Sequence, residues 1–139
     1  MNDNFFAGLD FGTSGARISI INLHKKLVYS NSVTYSYCFK NPNSWINSCE
    51  SLLISLPIEV KINLNKLAIS GTSGTLTASN LRGEPLGEAI PYDKACSENK
   101  ILLESLTLKE DYLRTPYSSL AKALKLIDTS HMYLLILML

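Results

Sequence analysis

The apolar and polar positions in the first third of the chain predict three consecutive strands. Residues 5–9 form a continuous apolar run that ends at Asp10, and residues 16–22 and 26–36 are rich in β-branched and aromatic side chains. Only short turns separate these segments, and short turns join antiparallel strands. The sequence therefore predicts an antiparallel meander of three strands.

Apolar residues at helical spacing follow the meander and return near the end of the chain. They predict one helix over residues 45–56, capped at residues 43–44, and a last helix capped at residues 118–119. Between the helices we expect a buried strand at residues 67–70, parallel to the first strand, and a short strand at residues 76–80. This order predicts an α/β fold of the ribonuclease-H-like type, with a mixed sheet flanked by helices.

Composition narrows the classes of partner. The 139 residues carry 13 Lys and Arg against 12 Asp and Glu, and no dense basic run is present that would bind nucleic acid or anionic lipid. Cys38, Cys49 and Cys96 are scattered without CxxC spacing, which favours a reducing compartment over a disulfide framework. The first residues lack a basic and apolar leader. We therefore expect a cytoplasmic protein with no nucleic-acid or membrane partner.

The turn between the first two strands carries the most informative chemistry. Gly12-Thr13-Ser14-Gly15 can aim backbone N–H groups and two hydroxyls at one anion, and Asp10 just before it can hold Mg²⁺ through water. It is not a Walker A loop, because it lacks Gly-Lys-Ser/Thr and a strand follows it. The pattern predicts nucleotide phosphate binding. The alternative is an ordinary hairpin with an acid on its surface.

The same motif returns once. Gly12-Thr-Ser-Gly-Ala16 is echoed by Gly71-Thr-Ser-Gly-Thr75, again directly after a predicted strand. The second copy can be another phosphate loop, or it can reflect a close approach of chain segments that needs small residues. We favour a third interpretation, in which it borders a substrate pocket, because ligands of open α/β sheets bind beyond the carboxyl ends of the strands.

Five segments of the chain form a recognisable series: Gly8–Arg17, Ile69–Thr75, Gly83–Leu86, Ala89–Asp93 and Ser118–Leu124. In this order they resemble the amino-terminal domain of the FGGY carbohydrate kinases, within the actin, Hsp70 and sugar-kinase superfamily, and the D-ribulose kinase and xylulokinase-like branch is the most similar. The resemblance covers residues 1–128. It implies transfer of the γ-phosphate of ATP to a ketose such as D-ribulose or D-xylulose, with Mg²⁺.

The resemblance also implies roles for residues of the first turn. Asp10 matches the acid near the metal and the phosphates. Gly12, Thr13 and Ser14 match the loop that faces the γ-phosphate, and Arg17 matches the basic residue that often follows.

On the sugar side, Thr72, Ser73 and Gly74 match the stretch beside the substrate. Asp93 falls in the region where the family has Tyr-Asn-Asp, but this chain reads Tyr92-Asp93-Lys94. Asp93 is therefore either a sugar contact or a turn residue after Pro91.

Two parts of the family pattern are missing. No residue matches the catalytic base, since Asp111 and Asp128 lie in Leu-rich helical sequence, and no carboxyl-terminal ATP domain follows. Residues 129–139 form an apolar tail that departs from the family, and it is shorter than the roughly 20 residues that span a bilayer. These features predict a truncated kinase, inactive alone.

Two alternatives stay open beside the truncated kinase. The chain can be a non-catalytic remnant that binds sugar or phosphate, or half of a split kinase whose partner is a separately encoded carboxyl-terminal domain. An actin- or Hsp70-like ATPase is a more distant possibility, and the sugar-side stretch argues against it.

Overall fold

The computed structural model describes residues 4–129 and 135–138. The chain divides into two compact units, Met1–Gly71 and Thr72–Leu139, here called the first and second units. No helix among the described residues is long and apolar enough to cross a bilayer.

The first unit is a four-stranded mixed sheet with helices in the connection to its last strand. The strand order is β3-β2-β1-β4, with β1, β2 and β3 antiparallel and β4 parallel to β1. The predicted meander and the parallel return strand are both confirmed. The elements are β1 (Phe5–Phe11), β2 (Gly15–Asn22), β3 (Leu27–Thr34), α1 (Pro42–Ile54), α2 (Ile58–Ile62) and β4 (Leu64–Gly71).

The two faces of this sheet differ because side chains alternate along each strand. Phe5, Ala7, Leu9 and Phe11 of β1 are buried on one face, whereas Gly8 on the other face is exposed. Helix α1 packs against β2 and β3. Asp10 falls on the face opposite the buried apolar residues, so the strand delivers its carboxylate away from the core.

Two expectations for this unit are wrong. Helix α1 begins at Pro42 rather than residue 45, because the Asn41 side chain accepts a hydrogen bond from the Asn43 backbone N–H at 3.0 Å and Pro42 suits the first helical position. Strand β4 exists but is not buried. Leu67 and Ile69 are 43% and 60% exposed, since α1 packs on the far strands of the sheet and leaves β4 uncovered.

The second unit is built on a short buried strand and two helices. All four residues of β5 (Leu76–Ser79) are buried, and β5 pairs antiparallel with β6 (Leu135–Met138). The helices are α3 (Lys100–Leu106), which the sequence did not predict, and α4 (Ser119–Thr129), with a short 3-10 helix at Tyr112–Arg114 between them. Ser118 caps α4 as expected, because its hydroxyl accepts the Ala121 backbone N–H at 3.1 Å.

Of the predicted apolar tail, residues 129–139, the structure describes residue 129 and residues 135–138. Its residues 135–138 form β6 and extend the pairing of β5. Residues 130–134 and 139 lie outside the described residues.

Candidate functional site

The first turn (residues 12–15) closes the hairpin between β1 and β2. The Gly12 backbone N–H donates to the Gly15 carbonyl at 2.9 Å, which leaves Thr13 and Ser14 exposed at the tip. Neither the backbone N–H groups nor the hydroxyls of Thr13 and Ser14 make a hydrogen bond within residues 4–129 and 135–138. The turn therefore presents four free hydrogen-bond donors close together, an arrangement suited to an anion.

Tyr35 holds this turn in shape. Its backbone N–H donates to the Ser14 carbonyl at 3.1 Å, and its hydroxyl donates to the Gly12 carbonyl at 2.9 Å. Burial, together with the nearby charge of Asp10, raises the pKa of Tyr35 to about 12, so the hydroxyl stays a donor even in alkaline solution near pH 10. Sequence reasoning placed Tyr35 only as the end of a strand. Nothing in its local pattern indicates that it reaches back across the hairpin.

Gly15 is required by close packing rather than by an unusual backbone angle. A Cβ added there would lie 2.2 Å from the Val33 carbonyl oxygen and 3.1 Å from the Thr34 Cα on the neighbouring strand. The same atom added at Gly12 would meet only the Gly15 carbonyl oxygen, at 3.5 Å, which is an ordinary contact. The second glycine of the turn thus allows β3 to lie against it.

Asp10 and Arg17 face each other across the hairpin. They are directly paired in the β1–β2 register, and the Arg17 Nη2 lies 3.0 Å from the Asp10 Oδ2. The side chains are 68% and 48% exposed for Arg17 and Asp10 respectively, so the ion pair contributes only about 0–1 kcal/mol to stability. Both charged groups are therefore available to a ligand at little cost to the fold.

A cleft of about 350 Å³ adjoins the turn. It is lined by residues 12–17 of the hairpin and residues 32–34 of β3. Thr13, Ser14 and Arg17 all contribute to its wall, whereas Asp10 lies next to it through its pair with Arg17. The predicted phosphate-binding residues are thus brought together in one unit.

The oxygen atoms near this turn show whether it suits Mg²⁺. Asp10 supplies a carboxylate, and Thr13 and Ser14 supply hydroxyl oxygens, all of which are hard ligands of the kind Mg²⁺ prefers. Among the described residues no cluster of three or more His, Cys, Asp or Glu could hold a metal ion. Because Arg17 occupies the Asp10 Oδ2, a magnesium ion here would take the other oxygen of that carboxylate and complete its shell with water and phosphate oxygens.

The second glycine-rich segment lies in the second unit. Residues 72–75, here called the second turn, are closed by a hydrogen bond from the Thr75 backbone N–H to the Thr72 carbonyl at 3.4 Å. Gly74 has φ +77°, which explains the glycine at this position. Gly71, the residue just before this turn, pairs with Phe11 at the carboxyl end of β1. Strands β1 and β4 therefore end at the same edge of the first unit's sheet.

Asp93 lies in a third turn, residues 91–94, which is closed by the Lys94 backbone N–H on the Pro91 carbonyl at 3.1 Å. Its side chain is exposed. The structure thus gives Asp93 the turn position considered as one alternative, and the sugar-contact role stays a prediction. Lys122, which sequence reasoning did not single out, donates to carbonyls of both the second turn and the third turn. Within the second unit, Lys122 therefore links the turn that contains Thr72, Ser73 and Gly74 to the turn that contains Asp93.

The described elements include a mixed sheet flanked by helices, and this α/β fold matches part of the ribonuclease-H-like fold in solved structures of sugar kinases. The chain resembles xylulose kinase from Rhodospirillum rubrum (TM-score 0.70, 19% identity, 92% of this chain and 30% of that one). It also resembles Plasmodium falciparum glycerol kinase with ADP (TM-score 0.68, 18% identity, 93% and 29%) and gluconate kinase from Lactobacillus acidophilus (0.67, 16%, 92% and 29%).

These likenesses establish the fold. No protein-family model matches the chain. The chain spans about three tenths of the length of the kinases that it resembles, since it covers 29% to 30% of each.

Proposed function

We propose that this chain is part of an ATP-dependent sugar kinase that phosphorylates a ketose such as D-ribulose or D-xylulose. The observation that carries the proposal is the first turn, where four free donors lie beside one carboxylate and one guanidinium. Similarity to xylulose, glycerol and gluconate kinases supports the same class of reaction.

In this proposal the first turn holds the terminal phosphate of ATP. The backbone N–H and hydroxyl groups of Thr13 and Ser14 donate to phosphate oxygens, and Arg17 adds a positive charge at the wall of the cleft. Gly12 and Gly15 flank those groups, and the missing side chain at Gly15 lets β3 lie against the turn. Asp10 would hold Mg²⁺, which when bound neutralises phosphate charge and orients the phosphoryl group.

The sugar side is proposed for the second unit, with Thr72, Ser73, Gly74 and Asp93 as contacts. The kinase portion is proposed to be residues 1–128. Two alternatives to this proposal remain: a non-catalytic chain that binds sugar or phosphate, and one half of a split kinase. Because the chain covers 29% of the neighbouring kinases, we propose that transfer needs sequence beyond what is present here.

Calorimetric titration with ATP and Mg²⁺ tests the phosphate site. Asp10→Asn keeps the shape of the side chain but removes its charge, and we expect at least a tenfold loss of affinity, about 1.4 kcal/mol. Glu50→Gln is the matched control, because it removes one exposed acid from α1 in the same unit. Absence of nucleotide binding, or equal affinity of the Asp10 variant and the control, would refute the proposal.

A second measurement separates a kinase from an ATPase. ATP consumption is followed with and without D-ribulose or D-xylulose, in the chain alone and with a supplied carboxyl-terminal kinase domain. Sugar-dependent consumption supports the proposal, whereas hydrolysis independent of sugar contradicts it in favour of an ATPase.

A further inference from the structure

Lys122 is a buried lysine with no role in the function proposed above. It lies in the first turn of α4, and its side chain has no exposed surface. Lysine is almost never fully buried unless its ammonium group is satisfied, because taking a charge out of water is costly. A reason for its position must lie in its contacts.

Its contacts are three backbone carbonyls from three separate segments. The Lys122 Nζ donates to the carbonyl oxygens of Gly74 at 2.8 Å, Tyr92 at 2.9 Å and Tyr117 at 2.9 Å. An ammonium group has three N–H donors, so each is used once. Among the described residues no carboxylate forms an ion pair with Lys122. Burial lowers its pKa, while Asp93 and Cys96 act in the opposite direction.

Two of the three segments carry the residues proposed to contact sugar. Gly74 belongs to the second turn, and Tyr92 immediately precedes Asp93 in the third turn. The two turns also approach each other directly, because a Cβ at Gly74 would lie 3.8 Å from the Tyr92 Cβ and 3.9 Å from the Lys122 Nζ. Tyr117 precedes the cap of α4 and so anchors the lysine's own helix to the same point.

The orientation of the third turn follows from these bonds. In a trans peptide the C=O and N–H groups point in opposite directions, and the described residues contain no cis peptide. Because the Tyr92 carbonyl points at Lys122, the Asp93 N–H points away from it. That N–H makes no hydrogen bond within the described part of the chain, so it is available to an oxygen atom of a ligand.

We infer that Lys122 is a positioning residue that fixes the second and third turns against each other, so that together they present donors to a sugar hydroxyl. This inference rests on the proposed function for the identity of the ligand. The fixing of the two turns by one ammonium group does not depend on it.

Lys122→Met tests the inference, because methionine retains much of the side-chain stem but has no N–H donors. Leu103→Ala is the matched control, since Leu103 is buried in the core of the same unit beside Cys96 and Ala121. Hydrogen exchange of backbone amides is measured across the second unit in both variants. Each variant is measured at the temperature at which the same fraction of its molecules is unfolded, so that a general loss of stability affects both equally. We expect exchange of the Thr75 and Lys94 backbone N–H groups, which close the second and third turns, to rise at least tenfold more in Lys122→Met than in the control. An equal rise in both variants, spread over the unit, would overturn the inference.

Binding of D-ribulose and D-xylulose is then titrated for the same proteins. A tenfold weaker affinity in Lys122→Met than in Leu103→Ala supports the positioning role. Equal affinities in the two variants overturn it. If the wild-type chain binds neither sugar while exchange changes as expected, the proposed function fails and the anchoring of the turns stands.

A measurement on the wild-type chain covers the case in which Lys122→Met does not fold. With ¹⁵N-labelled lysine, the Lys122 ammonium should exchange slowly with water and show hydrogen-bond couplings to the carbonyl carbons of Gly74, Tyr92 and Tyr117. An Nζ signal that exchanges as fast as an exposed lysine would overturn the inference without any variant.

Discussion

Replacing Gly15 with alanine should destabilise the first unit far more than the same change at Gly12. A methyl group at Gly15 would lie 2.2 Å from the Val33 carbonyl oxygen, about 1 Å inside an ordinary contact. The atom it meets is backbone, so β3 must move or lose its pairing with Gly15. Overpacking costs about 1–3 kcal/mol, and one lost backbone hydrogen bond adds about 1 kcal/mol. We therefore expect a loss of about 2–4 kcal/mol in the free energy of unfolding.

Urea denaturation followed by tryptophan fluorescence measures this loss. Trp45 is the only tryptophan of the chain, and it is buried in α1 of the same unit, so its emission reports on unfolding there. Gly12→Ala is the control, because its methyl would meet the nearest atom at 3.5 Å and neither position has a positive φ. We expect the control to lie within about 0.5 kcal/mol of wild type. Similar stabilities for the two variants would show that β3 does not pack on Gly15 as described.

Two further predictions concern side chains with unusual surroundings. Because the pKa of Tyr35 is raised to about 12 from 10.0, the stability that its protonated hydroxyl contributes is complete below pH 10 and is lost as the pH rises through 12. The difference between the ultraviolet pH titrations of wild type and Tyr35→Phe gives the titration of the Tyr35 phenol, and its midpoint should lie near pH 12. The midpoint should be lower in Asp10→Asn, because the neighbouring negative charge is removed. A midpoint at pH 10 in the wild type would contradict the raised pKa of Tyr35. The buried Thr75 hydroxyl has no hydrogen-bond partner among the described residues, so Thr75→Val should leave the free energy of unfolding unchanged or raised. Thermal denaturation measures both Thr75→Val and a control, Ser118→Ala, which removes a hydrogen-bonded helix cap and should cost about 1–2 kcal/mol. An equal loss of stability in Thr75→Val would contradict the prediction.

The sequence predicted the parts of the fold that depend on local pattern. A continuous apolar run at residues 5–9 and β-branched and aromatic residues in the next two segments predicted the three-stranded meander. The glycines and hydroxyls of residues 12–15 predicted the hairpin turn that the structure shows. The Ser118 cap was equally visible, since a hydroxyl before an apolar helical repeat is a local signal. The start of α1 was missed by a few residues because Asn41 and Pro42 lie ahead of its first apolar side chain.

What the sequence did not predict depends on contacts between distant residues. The exposure of β4 follows from where α1 packs, which the apolar run at residues 67–70 does not encode. Tyr35 bonds to Gly12, 23 residues away, and Lys122 bonds to Gly74, 48 residues away. A lysine within a helical repeat is normally a solvated residue, so its burial could be recognised only once three carbonyls were seen around it. The assigned roles of the site residues in binding stay predictions.

Strand β4 has a consequence for how this chain behaves at high concentration. It is the last strand in the order β3-β2-β1-β4, so among the described residues its outer backbone edge lacks a strand neighbour, and Leu67 and Ile69 stand exposed beside that edge. An unprotected apolar edge recruits strands from other molecules. We therefore expect this strand to promote association of the isolated polypeptide, and a charged substitution at Ile69 should reduce that association.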